Sequence, residues 1–86
     1  MASGINYSET YEQAEKAYLN DNYQRAASII DQMIEEFPED PSVLLLRGHI
    51  YCYGLQDYEI AKQQYQLVIE LLILHLTELE SFDRLH

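Results

Sequence analysis

The sequence predicts an all-α chain of about four helices, the last of them long. Glycine (3) and proline (2) are scarce, which disfavours an all-β fold with its many tight turns. Apolar residues recur at three- and four-residue spacing in separate segments. Nothing from residue 58 to residue 80 is Pro or Gly, so no local signal interrupts the final segment.

The elements follow in order. Residues 1–7 read as a loose lead-in. Ser8 is the expected N-cap of the first helix, because its hydroxyl can accept from a free backbone N–H. Over residues 9–19 the residues Tyr11, Ala14, Ala17 and Tyr18 fall at helical spacing. Asn20, Asp21 and Asn22 break the pattern, since their side chains compete for backbone hydrogen bonds. A second helix starts at Tyr23 with Asn22 as cap and an apolar stripe of Ala26, Ala27, Ile30, Met33, Ile34 and Phe37. Pro38 and Pro41 stop it, each disfavouring helix at the residue before. Asp40 caps the third helix and Pro41 fits its first turn. That helix carries Val43, Leu44, Leu46, Ile50 and Tyr51 and ends near Gly54. Asp57 caps the fourth, expected to run about 22 residues, or about 33 Å at 1.5 Å per residue.

The chain has 86 residues, enough for a single domain, and a chain this short buries roughly 60–65% of its unfolded surface. Hydrophobic residues make up 48%, ample for a core. Fifteen Asp+Glu stand against five Lys+Arg, a net charge of −10. Such a surface repels phosphate backbones and anionic membranes, so neither nucleic acid nor membrane is an expected partner. A protein partner, basic or apolar, is compatible; the acidity also serves solubility. Cys52 is the single cysteine, which excludes an internal disulfide and suits a reducing compartment. The first residues lack the basic start and apolar run of a secretory signal. The most apolar stretch, 67–76, contains Glu70 and His75 and is about half a membrane span. A cytoplasmic location is the expectation.

The helices repeat. Asn22-Tyr23-Gln24-Arg25-Ala26 lines up with Asp57-Tyr58-Glu59-Ile60-Ala61 at an offset of 35. Ile30 then pairs with Tyr65, Met33 with Val68, and Ile34 with Ile69. In the leading helices the offset is 34, pairing Ala14 with Gly48 and Ala17 with Tyr51. The additional residue is expected in the second turn, between Gly54 and Gln56.

These residues resemble a pair of tetratricopeptide repeats, over about residues 8–73. That family alternates antiparallel helices, with a small residue where they cross and another early in the second helix. Ala14 and Gly48 fill the first role, Ala26 and Ala61 the second. A larger side chain there would hold the axes beyond the 8–10 Å of close packing. Departures are Thr10 and Leu44 where the family has an aromatic residue, Gln13 and Arg47 where it has leucine, and Ile73 where a closing proline would stand. The resemblance implies a helical-repeat solenoid: repeat one at 8–40, repeat two at 41–73, and a helical extension at 74–86, all within one domain spanning 8–86. It also implies a protein–protein interaction module that takes a partner peptide or helix in its concave groove. The groove positions are Tyr11, Glu15, Tyr18 and Leu19 from the first helix, and Leu45, His49, Cys52 and Tyr53 from the third. Packing against neighbouring helices is the competing role for Tyr18 and Tyr53. Glu15 has the wrong sign for gripping a terminal carboxylate.

The last helix points to a second role. At 100° per residue, Leu67, Leu71, Phe82, Val68, Leu79, Leu72, Leu76 and Ile69 spread over about 200°, whereas a helix resting on one neighbour needs about 100°. The expectation is a homodimer formed through Leu72, Leu76, Leu79 and Phe82. The alternatives are a bend near His75 that folds the end back as a cap, or a missing neighbour in a larger protein.

Catalytic and metal chemistry find little support. His49 and Cys52 share a helix face, but two ligands do not make a zinc site. As nucleophile and base they lack an orienting group and oxyanion donors. No glycine-rich phosphate loop occurs. Glu35-Glu36 and Glu39-Asp40 read as solvated charge. No cofactor, metal or enzymatic activity is expected.

Overall fold

The computed structural model describes the backbone of residues 4–84 and the side chains of residues 4–79. The chain is all-α. Its helices are α1 (Tyr7–Leu19), α2 (Tyr23–Glu36), α3 (Pro41–His49) and α4 (Tyr58–Arg84). A π-helical turn, Ile50–Gly54, continues α3. Among the described residues there is no strand.

The first helix begins earlier than its expected Ser8 cap. Asn6 has an extended backbone and accepts from Glu9 N through Oδ1 at 3.0 Å. This bond draws Tyr7 into the helix, where it stacks on Tyr11 and meets the Phe37 ring edge-on at 5.0 Å. At the start of α2 the residue is as expected but its chemistry is not. Asn22 makes no side-chain cap bond. Instead Asn22 N donates to Ala17 O at 2.8 Å, and Tyr23 Oη donates to Asp21 Oδ1 at 2.8 Å. Asp40 does cap α3, accepting from Ser42 N and Val43 N, with Pro41 in the first turn. Asp57 caps α4 by accepting from Ile60 N at 3.2 Å.

The additional residue of the second hairpin lies inside the helix rather than in the loop. Asn22 N reaches back five residues to Ala17 O. Their counterparts, Asp57 N and Tyr51 O, are six residues apart and bonded at 2.7 Å. Beyond that bond the two turns agree again: Asp21 and Gln56 hold the same left-handed backbone, φ 64° and 59°. The surplus is absorbed by the Ile50–Gly54 π-turn, closed by Leu55 N donating to Ile50 O. A π-turn holds one residue more than an α-turn, so a helix end takes up an insertion without lengthening the loop.

Short turns make α1–α2 and α3–α4 hairpins, and the two helices of each pair pack together. The core is Ala14, Ala17, Ala26, Ala27, Ile30, Met33, Val43, Leu46 and Ile50. The small residues sit where the helices approach. Ala14 and Ala26 are fully buried, and Ala61 nearly so. A Cβ on Gly48 would lie 2.6 Å from the Tyr65 ring, and one on Gly54 2.6 Å from the Tyr23 ring. Between the hairpins, Asp31 on α2 accepts from Arg47 Nε at 2.9 Å and from Tyr51 Oη at 2.8 Å, with the Arg47 guanidinium over the Tyr51 ring.

The last helix is one rod of 27 residues, about 40 Å at 1.5 Å per residue. The third helix and its π-turn cover only its first half. Ala61 and Gln64 are buried, and Tyr65, Val68 and Leu71 partly so. From Leu72 to Leu79 every side chain is exposed. The rod therefore does not return as a cap, and the alternative of a bend near His75 is set aside.

Candidate functional site

The predicted groove residues separate into two aromatic groups. At one end of α1, Tyr11 stacks with Tyr7 at 6.0 Å and donates to Ser42 O at 3.5 Å. Glu15 stands exposed one turn on. Burial pushes the Tyr11 phenol up, with the Glu15 and Asp40 charges adding to it. Burial pushes the Tyr7 phenol up to about 12, assisted by the neighbouring Asp40 carboxylate.

The second group gathers at the π-turn. His49 Nδ1 and Tyr65 Oη share a hydrogen bond at 2.8 Å. The His49 ring lies 5.8 Å from Tyr53 and 5.7 Å from Tyr65. Tyr18 tilts against Tyr23 at 5.9 Å. Burial raises the Tyr18 phenol, and Tyr53 and Cys52 lie close enough to raise it further. Tyr65 is pushed up to about 12, first by burial and then by Cys52, Tyr53 and Tyr18 around it. Tyr18, His49, Cys52 and Tyr53 are thus brought together around Tyr65, which the repeat marked only as the counterpart of Ile30. The wide turn carries Cys52 and Tyr53 toward it. Leu19 (71% exposed) and Leu45 (40%) stay open to solvent and join neither group. Tyr7 was assigned to the lead-in; its spacing to Tyr11 and Tyr18, four and eleven residues, puts all three on one helix face.

A larger surface lies on α4. Leu67, Ile69, Leu72, Ile73, Leu74, Leu76 and Leu79 are 42% to 61% exposed. With Val68 and Leu71 they span about 260° of the helix at 100° per residue. Of the four expected interface residues, Leu72, Leu76 and Leu79 belong to this surface; Phe82 lies outside the described side chains. Sequence periodicity located the arc but not which of its side chains stand bare, because exposure depends on where α3 ends.

Among the described residues, no three His, Cys, Asp or Glu side chains are placed to hold a metal ion. No described helix is long and apolar enough to cross a membrane. Comparison with protein-family models, curated proteins and solved structures finds no match for this chain.

Proposed function

We propose that this chain is a protein-binding helical-repeat module of tetratricopeptide type, docking its partner on the apolar face of α4 beyond the reach of α3. One observation carries the reading: seven aliphatic side chains between residues 67 and 79 stand open to water on a helix that α3 covers only along its first half. Single exposed leucines are ordinary, but a contiguous set of this kind marks an interaction site. Fully burying a leucine-sized side chain is worth about 1.5–3 kcal/mol. Covering the exposed halves of seven therefore supplies several kcal/mol toward the cost of association, about 4 kcal/mol or more. Nothing in this surface needs a cofactor or a catalytic group, and we read the module as non-enzymatic. The lone thiol of Cys52 fits a cytoplasmic setting.

A pull-down from host extract tests the reading, comparing the chain with its Leu72→Glu/Leu76→Glu variant. The proteins captured by the chain should be lost from the variant. Equal capture by both overturns the assignment. A second reading places a peptide in the groove, favoured by the 66% exposure of Tyr53 beside His49 and Tyr18. Tyrosine suits this role, offering large contact area at small entropic cost. Capture that survives the α4 changes but is lost in Tyr18→Ala/His49→Ala would select it.

A further inference from the structure

The exposed aliphatic residues of α4 contain an ordered seam. Ile69, Leu72, Leu76 and Leu79 follow one another at three, four and three residues, the rhythm of a coiled-coil contact line. At 100° per residue they fall within about 80° of one another. Between residues 67 and 79 the acidic residues are Glu70 and Glu78, each about 140° from the midline of that line, so over this stretch the line itself is aliphatic. The spacing is also a palindrome about residue 74. Turned end for end, Ile69 meets Leu79 and Leu72 meets Leu76.

The first hairpin says what kind of element belongs there. Ile34 on α2 and Phe37 at its C-cap are partly buried against the core, to which α3 and its π-turn contribute Val43, Leu46 and Ile50. Their counterparts on α4, Ile69 and Leu72, are 55% and 53% exposed. The corresponding place on α4 is a helix-sized vacancy. The α1 helix of a second copy cannot fill it head to tail. The α1 counterparts of Arg47 and Tyr51, which bind α2, are Gln13 and Ala17. Around them lie Lys16, Asn20, Asn22 and Arg25, lining a shallow depression. That polar face would leave the α4 leucines poorly covered, and such a contact would not close.

Resting on the α4 docking surface proposed above, we infer that its occupant is the α4 helix of a second copy, laid antiparallel across a two-fold axis at the level of residue 74. Each seam residue then meets its palindromic partner, Ile69 with Leu79 and Leu72 with Leu76, twice over. The four seam side chains, 50% to 60% exposed, open on the order of 400 Å² per chain, about half of the ~800 Å² per partner of a standard interface. The contact is isologous and stops at two chains.

Sedimentation of the full chain across the micromolar range is the first test. The mass should rise to twice the 10.1 kDa of one chain. Leu72→Glu and Leu76→Glu should each weaken association at least about tenfold, the effect of a lost central contact, while far-UV circular dichroism keeps its helical signal. Direction is read by cross-linking. A mixture of Ile69→Cys and Leu79→Cys chains should give the 69–79 disulfide in peptide mapping, and Ile69→Cys alone should give no 69–69 product. A 69–69 link overturns the antiparallel pair, as does a dimer indifferent to both glutamates. A chain that stays monomeric removes the second copy as occupant. The pull-down then separates the two failures: capture lost in the glutamate variant leaves α4 a docking face for a different protein, and equal capture removes that face as well.

Discussion

Ile34 and Ile69 occupy the same place in the two hairpins, as do Phe37 and Leu72. The first member of each pair is partly buried and the second more than half exposed. Side-chain chemistry does not make the difference, since all four are large and apolar. Position in the fold does: α2 has helices on two sides, and α4 has one only as far as α3 extends. The comparison teaches that exposure on α4 is a property of the missing neighbour rather than of the helix.

The comparison breaks most sharply at Ile30 and Ile69. Ile30 has no exposed surface, so Ile30→Ala should cost about 2–5 kcal/mol, the range for emptying a core site. Ile69→Ala should change the stability of an isolated chain by less than about 0.5 kcal/mol, as surface changes do. Urea unfolding of the two variants measures both. Comparable losses would mean that Ile69 is already covered within a single chain.

A smaller effect of opposite sign is expected at Gln64, counterpart of Ile29. Gln64 is only 4% exposed and its Oε1 has no hydrogen-bond partner. An unsatisfied buried acceptor costs about 1–3 kcal/mol. Gln64→Leu should therefore raise the urea midpoint by a comparable stability, making the second hairpin more like the first. A fall in the midpoint would show that the amide is needed where it stands.

The smallest effect is expected in alkali. Burial holds Tyr7 and Tyr65 neutral, moving each from its ordinary 10 up to about 12. A raised pKa means that their stabilising contribution is complete below pH 10 and is lost as the pH rises from 10 through about 12. In a phenolate absorbance titration these two tyrosines, one in each aromatic group, should ionise last. Tyr65→Phe should remove one late step and leave that of Tyr7. An unchanged late phase would contradict the burial of Tyr65 beside His49.

Much of this architecture was readable from residues alone. Asp40 and Asp57 announced their helices because a carboxylate before a helix start has few other uses, and Pro41 fixed the entry of α3. The unbroken last helix followed from the lack of any breaker. Other features were not readable. Asn6 and Ser8 can both cap, and only the docking of Tyr7 against Phe37 favours the earlier start. The position of the additional residue was misassigned because loops usually take insertions, whereas here the helix end widened. The Asp31–Arg47–Tyr51 link joins residues 16 and 20 apart, beyond any local pattern. In the candidate groove, Tyr18, His49, Cys52 and Tyr53 converge, but Leu19 and Leu45 do not. A helical wheel sets azimuth and leaves open how far a neighbouring helix extends.

The wide turn at Ile50–Gly54 acts as a phase buffer. One more residue in a regular α-helix would rotate everything downstream by about 100°. Here that rotation is cancelled within a single turn, and Gln56 resumes the conformation of Asp21. Because the slip is absorbed locally, α4 enters with the azimuth inherited from α2, and a length error in the chain never reaches the surface that faces the outside world.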